Sequence, residues 1–134
     1  MLFTKASEYA LLSLILISQK SSPVDVDTIS NELQISKSFL AKILQNLAKE
    51  KILKSYKGAN GGFTLECDPT TVSVKKVIEC AEKRPMSVFE CSGSAEGCSS
   101  QRASTCQIWS MFSTLQSKVD EMLDDIKLSD IIKK

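Results

Sequence analysis

Cys91, Cys98 and Cys106 have six and seven residues between them, in a stretch from Ser87 to Thr105 that holds Gly93, Gly97 and six serines. The segment offers few apolar neighbours, so ordinary core burial does not account for these thiols. Three thiolates in one loop are the donor set for a soft metal or an iron–sulfur cluster. Structural zinc sites space their ligands at two to four residues, which argues against zinc here. A thiol switch without metal is the alternative chemistry. Cys67 and Cys80 stand apart, one near a strand end and one on a short helix, and suit ordinary packed thiols. The chain has five cysteines and no histidine. The odd count, with no export signal, disfavours a disulfide framework. The missing imidazole excludes Ser-His-Asp and Cys-His catalysis and every His-ligated metal. A fourth ligand would be a carboxylate, Cys67, Cys80, solvent or a small thiol.

A second group of residues carries charge. Between Ser36 and Lys57 lie Lys37, Lys42, Lys49, Lys51, Lys54 and Lys57 against Glu50 alone. Between Asp120 and Asp130 five acids face Lys127 alone, so the net charge of +1 hides a basic and an acidic segment. The 134 residues are 43% apolar and 25% charged, which suits one soluble domain with an appendage. The apolar run from Leu11 to Ile17 is broken by Ser13 and far shorter than the ~20 residues that span a bilayer. No membrane partner and a cytoplasmic location are expected.

Helical and strand periodicities say how these residues are carried. Met1 to Ser18 predicts a helix with Thr4 as N-cap and Ala6, Tyr9, Ala10, Leu14 and Ile17 along one stripe. Asp25 to Leu33 predicts a second, and Gln34-Ile35-Ser36 a tight connector. Ser36 or Ser38 then caps a third helix to about Lys51, with Phe39, Leu40, Ile43, Leu44 and Leu47 at helical spacing. Ile52 to Tyr56 and Phe63 to Glu66 predict two strands around a turn that holds three of the five glycines. Ser73 caps a short helix to about Lys83, with Val74, Val77, Ile78 and Ala81 inward. A long helix follows from Cys106 to Lys127, and Ser129 to Lys134 form one more turn. The expected fold is mainly α with a small β-hairpin wing, a winged helix-turn-helix plus a long C-terminal dimerisation helix. Residues 1–83 would form the DNA-binding unit, 84–105 the cysteine-bearing loop, and 106–134 the dimerisation helix and final turn.

A helix-turn-helix followed by a two-stranded wing is a DNA-reading device, because a major groove admits the second helix. Ser36, Lys37, Ser38, Phe39 and Lys42 are the candidate contacts on that helix, and Lys57, Gly58, Asn60 and Gly61 those of the wing. Solvated lysines would explain the charge alone; charge, helix order and wing together favour double-stranded DNA. Ile108, Phe112, Leu115, Val119, Met122 and Ile126 step by four and three as a heptad seam. That seam could cover the first helix of its own chain, but its length favours a homodimer. No phosphate loop, catalytic pair or small-molecule cleft is legible, so an enzyme is not expected. A metal-carrying module that binds protein rather than DNA is the remaining alternative.

The pattern resembles the IscR/NsrR group of the BadM/Rrf-two family of winged-helix transcription factors. The resemblance covers nearly the whole chain. It rests on Thr4 to Ala10, Ile35 to Leu40, Lys57 to Phe63, Val72 to Ile78, the three loop cysteines and the ending Ile126 to Ile131. It implies a homodimeric DNA-binding regulator, a repressor in type, on a near-palindromic operator. Operator affinity would be controlled by an iron–sulfur cluster near the dimer interface that senses nitric oxide, redox state or iron supply. Cys91, Cys98 and Cys106 would be ligands. IscR-like members add a histidine three positions after the last cysteine; Trp109 stands there, which excludes that ligand set. NsrR-like members add an acid near the N-terminus of the other subunit, and Glu8 matches it. A bland role for Glu8 is a first-turn acid favouring the helix dipole. A carboxylate is a weak, exchangeable ligand to iron, which suits a sensor. The donor set favours a 4Fe–4S cluster over a 2Fe–2S one. Trp109 and Phe112 are assigned to packing beneath the loop. A metal-free thiol switch on the same fold is the alternative within the family.

Overall fold

The computed structural model describes residues 4–59, 61–83 and 107–132, the side chains of Gln107 and Trp109 apart. Its elements are α1 (Lys5–Ser18), α2 (Val26–Leu33), α3 (Lys37–Lys49), β1 (Leu53–Tyr56), β2 (Gly62–Leu65), α4 (Val74–Glu82), α5 (Gln107–Asp125) and α6 (Leu128–Ile131). The mainly helical fold with one antiparallel hairpin is the one expected. The segment assigned to the cysteine loop, with Cys91, Cys98 and Cys106, lies outside the described residues, as do Met1 to Phe3 and Asn60.

Local chemistry explains the helix ends. Thr4 opens α1 by donating its backbone N–H to Ser7 Oγ at 3.0 Å, while its hydroxyl donates to Glu82 at the end of α4. Asp25 caps α2 by accepting from Thr28 N–H at 3.0 Å. Ser73 caps α4 by accepting from Lys76 N–H at 3.1 Å. α2 and α4 end on non-glycine residues in the left-handed region, Gln34 (φ 56°) and Lys83 (φ 57°). α3 closes at Lys49, because Lys51 (φ 62°) turns the chain and sends Ile52 N–H back to the Leu47 carbonyl at 3.0 Å.

The core is the meeting of the apolar stripes. Ala10, Leu14 and Ile17 of α1 pack with Leu40, Ile43, Leu44 and Leu47 of α3, and with Ile29, Ile35, Leu53, Phe63, Val77 and Ala81 around them. Burying each such Leu or Ile contributes roughly 1.5–3 kcal/mol. The hairpin register pairs Leu53 with Leu65 and Tyr56 with Gly62. Val24 adds a one-residue bridge on its far side, with Val24 N–H to Phe63 O at 3.0 Å and Phe63 N–H to Val24 O at 2.8 Å. Gly62 (φ 147°) sits so close to this segment that a Cβ would lie 2.5 Å from the Val24 carbonyl carbon.

The C-terminal part returns to the same body. Val74 N–H donates to Ile126 O at 2.8 Å, and Leu128 N–H to Val72 O at 2.7 Å. This bridge holds Lys127 extended (ψ 159°), so α5 stops at Asp125 rather than continuing to Lys127. The final turn accordingly starts at Leu128, not Ser129, with the Asp130 carboxylate accepting from Lys127 N–H at 2.8 Å. Leu128 and Ile132 are buried in the main core. Leu123 of α5 joins Val74 and Ile78 of α4 in a second cluster, against which Leu11, Val119 and Ile126 pack.

The heptad seam therefore divides into two rows. Phe112, Val119 and Ile126 are half-buried, while Ile108, Leu115 and Met122 are exposed, together with Met111. Among the described residues no helix is long and apolar enough to cross a membrane.

Candidate nucleic-acid interface

The turn between α2 and α3 is compact because its polar groups close on themselves. Gln34 and Ile35 N–H groups both return to the Ser30 carbonyl, and Ser30 Oγ donates to the Ile35 carbonyl. Ile35 is buried beneath the turn, which fixes how α3 leaves it.

With Leu40, Ile43, Leu44 and Leu47 inward, the helical period of 100° per residue turns Ser38, Lys42, Gln45 and Lys49 outward, and all four are exposed. Ser36 is the N-cap but makes no capping bond; its hydroxyl stands 3.2 Å from that of Ser38. The first turn of α3 thus keeps N–H groups uncapped by a side chain and carries no acid. Such a terminus favours a phosphate or a base acceptor.

Lys37 is exposed yet committed: its Nζ lies 2.8 Å from Asp27 on α2. Asp27, by hydrogen bond and charge, raises the Lys37 ammonium above the usual lysine range. Phe39 is 42% exposed, but its ring also rests against Tyr9 of α1.

On the wing Lys54, Tyr56, Lys57 and Gly58 are exposed, with the Lys54 ammonium 5.4 Å from the Tyr56 ring centre. Gly58 (φ 99°) meets nothing within 4 Å where a Cβ would stand. At Gly61 a Cβ would lie 2.4 Å from the Tyr56 carbonyl oxygen, and its N–H closes the turn onto Gly58 O at 3.0 Å. These glycines serve the backbone of the hairpin itself. Asn60 lies outside the described residues.

The structure brings Ser36, Ser38 and Lys42 to one exposed face and adds two residues that were not among the candidate contacts, Gln45 and Lys49, the latter counted only within the basic segment. Their signal was present: 38, 42, 45 and 49 step by four, three and four on the side opposite the core leucines. Gln45 offers an amide suited to an adenine edge.

Of the proposed cluster ligands only Glu8 is described. It is exposed in the first turn of α1, with its carboxylate 3.3 Å from Lys5 Nζ. Cys91, Cys98 and Cys106 lie outside the described residues, as does the Trp109 side chain. Among the described residues no three His, Cys, Asp or Glu side chains gather as a metal site. Cys67 and Cys80 are half-buried, and burial pushes both thiols above their usual range.

Residues 3–134 match the Rrf2 family model, described as an iron-dependent transcriptional regulator. The HTH-type transcriptional regulator IscR of Vibrio atlanticus (strain LGP32) is 30% identical over 124 residues, covering 92% of this chain and 69% of that protein. Among solved structures, T. potens IscR matches with a TM-score of 0.70 at 21% identity, over 98% of this chain and 85% of that one. The oxidised form of Staphylococcus aureus CymR matches with a TM-score of 0.74 at 18% identity, over 100% and 98%. At such identities the structures establish the fold, which is that of the winged helix described above. The sequence relatives are transcription regulators, not enzymes. Taken over nearly its full length, the chain belongs to the Rrf2 family of transcriptional regulators.

Proposed function

We propose that this chain is a cytoplasmic, homodimeric regulator whose affinity for a near-palindromic DNA operator is set by an iron–sulfur cluster. The observation that carries the DNA half is the outward row of α3, Ser38, Lys42, Gln45 and Lys49, beside an N-terminus free of acids and side-chain caps. Ser38 and Gln45 would read base edges, Lys42 and Lys57 would neutralise phosphates, and the Lys57–Gly61 turn would lie along the backbone. Ser36, Phe39 and the Asn60 amide complete the assigned surface. Lys37 joins it by exchanging Asp27 for phosphate.

The donor chemistry of this chain fits a cluster: three thiols on one segment and an exposed carboxylate whose ion-pair partner among the described residues is the exposed Lys5. We assign Cys91, Cys98 and Cys106 as ligands, with the partner subunit's Glu8 as the fourth, and 4Fe–4S as the favoured form. When bound, the group supplies a centre sensitive to nitric oxide, oxygen and iron supply. The chain's own contribution is mechanical. Glu8 and Tyr9 are consecutive on α1, and Tyr9 rests on Phe39 in the first turn of α3. A pull on the Glu8 carboxylate would reach the first turn of the recognition helix through this ring contact, beside the core that α1 and α3 share.

The dimer is supported by the exposed row Ile108, Leu115 and Met122, which with Phe112, Val119 and Ile126 forms a two-row seam for a second α5. Residues 84–105 would then carry the sensor between the DNA-reading unit of residues 1–83 and the seam that opens at 106.

Anaerobic purification with iron and sulfide counts and a visible spectrum tests the sensor. Cys91→Ala, Cys98→Ala or Cys106→Ala should each remove the chromophore, and Cys67→Ala or Cys80→Ala should keep it. Glu8→Ala should weaken cluster retention. A colourless protein after reconstitution with iron and sulfide would replace the cluster with a thiol switch on the same fold. Sedimentation of Leu115→Glu should give a monomer where the parent chain gives a dimer.

A further inference from the structure

A helix lying in a major groove about 12 Å wide has a phosphodiester strand on each flank. The two flanks of α3 differ. On the α2 side, Lys37 is held by Asp27 at 2.8 Å. On the other side, α3 and the C-terminal end of α4 enclose an open groove of about 490 Å³ lined by Lys42, Gln45, Asn46, Lys49, Ala81 and Lys83, among others. Among the described residues no carboxylate lines it, and Lys42, Lys49 and Lys83 form no ion pair.

An adjoining groove of about 450 Å³ shares Asn46, Lys49 and Lys83 but adds Glu50 and Glu79. There Lys76 is paired with Glu50 at 3.4 Å. Lys42, Lys49 and Lys83 thus share one groove from the outward row of α3 to the end of α4, and Glu50 and Glu79 line the adjoining one.

We infer that the groove between α3 and the end of α4 receives the phosphodiester backbone of the DNA strand flanking α3, with Lys49 and Lys83 as its contacts. The inference rests on the DNA-binding reading and extends it to α4, outside the helix-turn-helix and the wing. Lys83 stands at the point where α4 ends and the cysteine-bearing segment begins, so the sensor segment starts beside a DNA contact.

The test titrates the full-length protein with a fluorescein-labelled, mixed-sequence DNA duplex at a series of salt concentrations. Phosphate contacts are independent of sequence, so no operator is needed. Each lost contact lowers the slope of log affinity against log salt by about 0.9. Lys49→Gln and Lys83→Gln should each show that loss, and the double variant about twice it, while Lys76→Gln keeps the parent slope. If Lys42→Gln and Lys57→Gln lower the slope but Lys49→Gln and Lys83→Gln do not, the inference falls and the DNA reading stands. If the parent protein shows no salt-dependent binding, both fall. A Lys83→Gln variant that loses thermal stability at unchanged slope would confine Lys83 to ending α4, which also overturns the inference.

Discussion

The ring of Tyr9 on α1 meets the ring of Phe39 on α3 edge to face, with centroids 5.8 Å apart and planes at 86°. Phe39 belongs to the first turn of the helix that presents Ser38 and Lys42, and Tyr9 follows Glu8. This contact joins the N-terminal helix to the proposed DNA-reading face, at the turn to which the base contacts are assigned.

Edge-to-face pairs add about 0.5–1.5 kcal/mol beyond the area they bury. A double-mutant cycle of Tyr9→Leu and Phe39→Leu, followed by urea unfolding, should give a coupling near the middle of that range, about 1 kcal/mol. Tyr9→Leu should also weaken DNA binding although Tyr9 is outside the assigned contact set. Additive stabilities with unchanged DNA affinity would remove the relay from α1 to α3.

Two wing glycines should respond differently to alanine. At Gly58 the added Cβ has open space, so only the left-handed backbone is strained, about 1–2 kcal/mol. At Gly62 the same strain comes with a Cβ 2.5 Å from Val24 backbone. Gly62→Ala should cost more than Gly58→Ala, roughly 3 kcal/mol or above, and expose the Phe63 and Val24 amides to hydrogen exchange. Equal costs would show that the wing does not depend on its seat against Val24.

Ser13 lies fully buried on α1, and its hydroxyl has no hydrogen-bond partner among the described residues. An unsatisfied buried hydroxyl costs about 1–3 kcal/mol. Ser13→Ala should therefore raise the unfolding midpoint by an amount corresponding to about 1 kcal/mol, the lost packing of the oxygen offsetting part of the gain. A clear loss of stability would reveal a partner for the oxygen.

Burial raises the Cys67 and Cys80 thiols above their usual value of 9.0. Above that pH the unfolded chain releases protons that the folded chain retains, so stability should fall as pH rises through 9.0. The Cys67→Ala, Cys80→Ala double variant should flatten that fall. At neutral pH both thiols should alkylate more slowly in the native protein than in urea. Equal rates would place thiolate chemistry at these two positions.

Most of the helical framework was legible in the chain. Ala10, Leu14 and Ile17, then Leu40, Ile43, Leu44 and Leu47, repeat at the helical period, and a face of that kind has one low-energy way to be hidden from water. Asp25 and Ser73 marked helix starts because their side chains satisfy N–H groups only three residues away. The absence of histidine and the spacing of Cys91, Cys98 and Cys106 belong to the same class of information: donor types and separations are properties of the chain.

What the tertiary structure decided depends on contacts between segments distant in sequence. The heptad pattern of α5 could not say which positions pack inside. Val74 and Ile78 on α4 take Leu123 and half-cover Val119 and Ile126, which leaves Ile108, Leu115 and Met122 exposed. The end of α5 is set by Val74 N–H reaching Ile126 O, across about fifty residues of chain. Lys37 pairs with Asp27, Phe39 finds Tyr9, and Lys83 joins Lys42 and Lys49 along one groove for the same reason. Periodicity determines which face of an element is apolar; only the packing of α1 to α4 on one another determines which charged and aromatic residues on the other faces become neighbours.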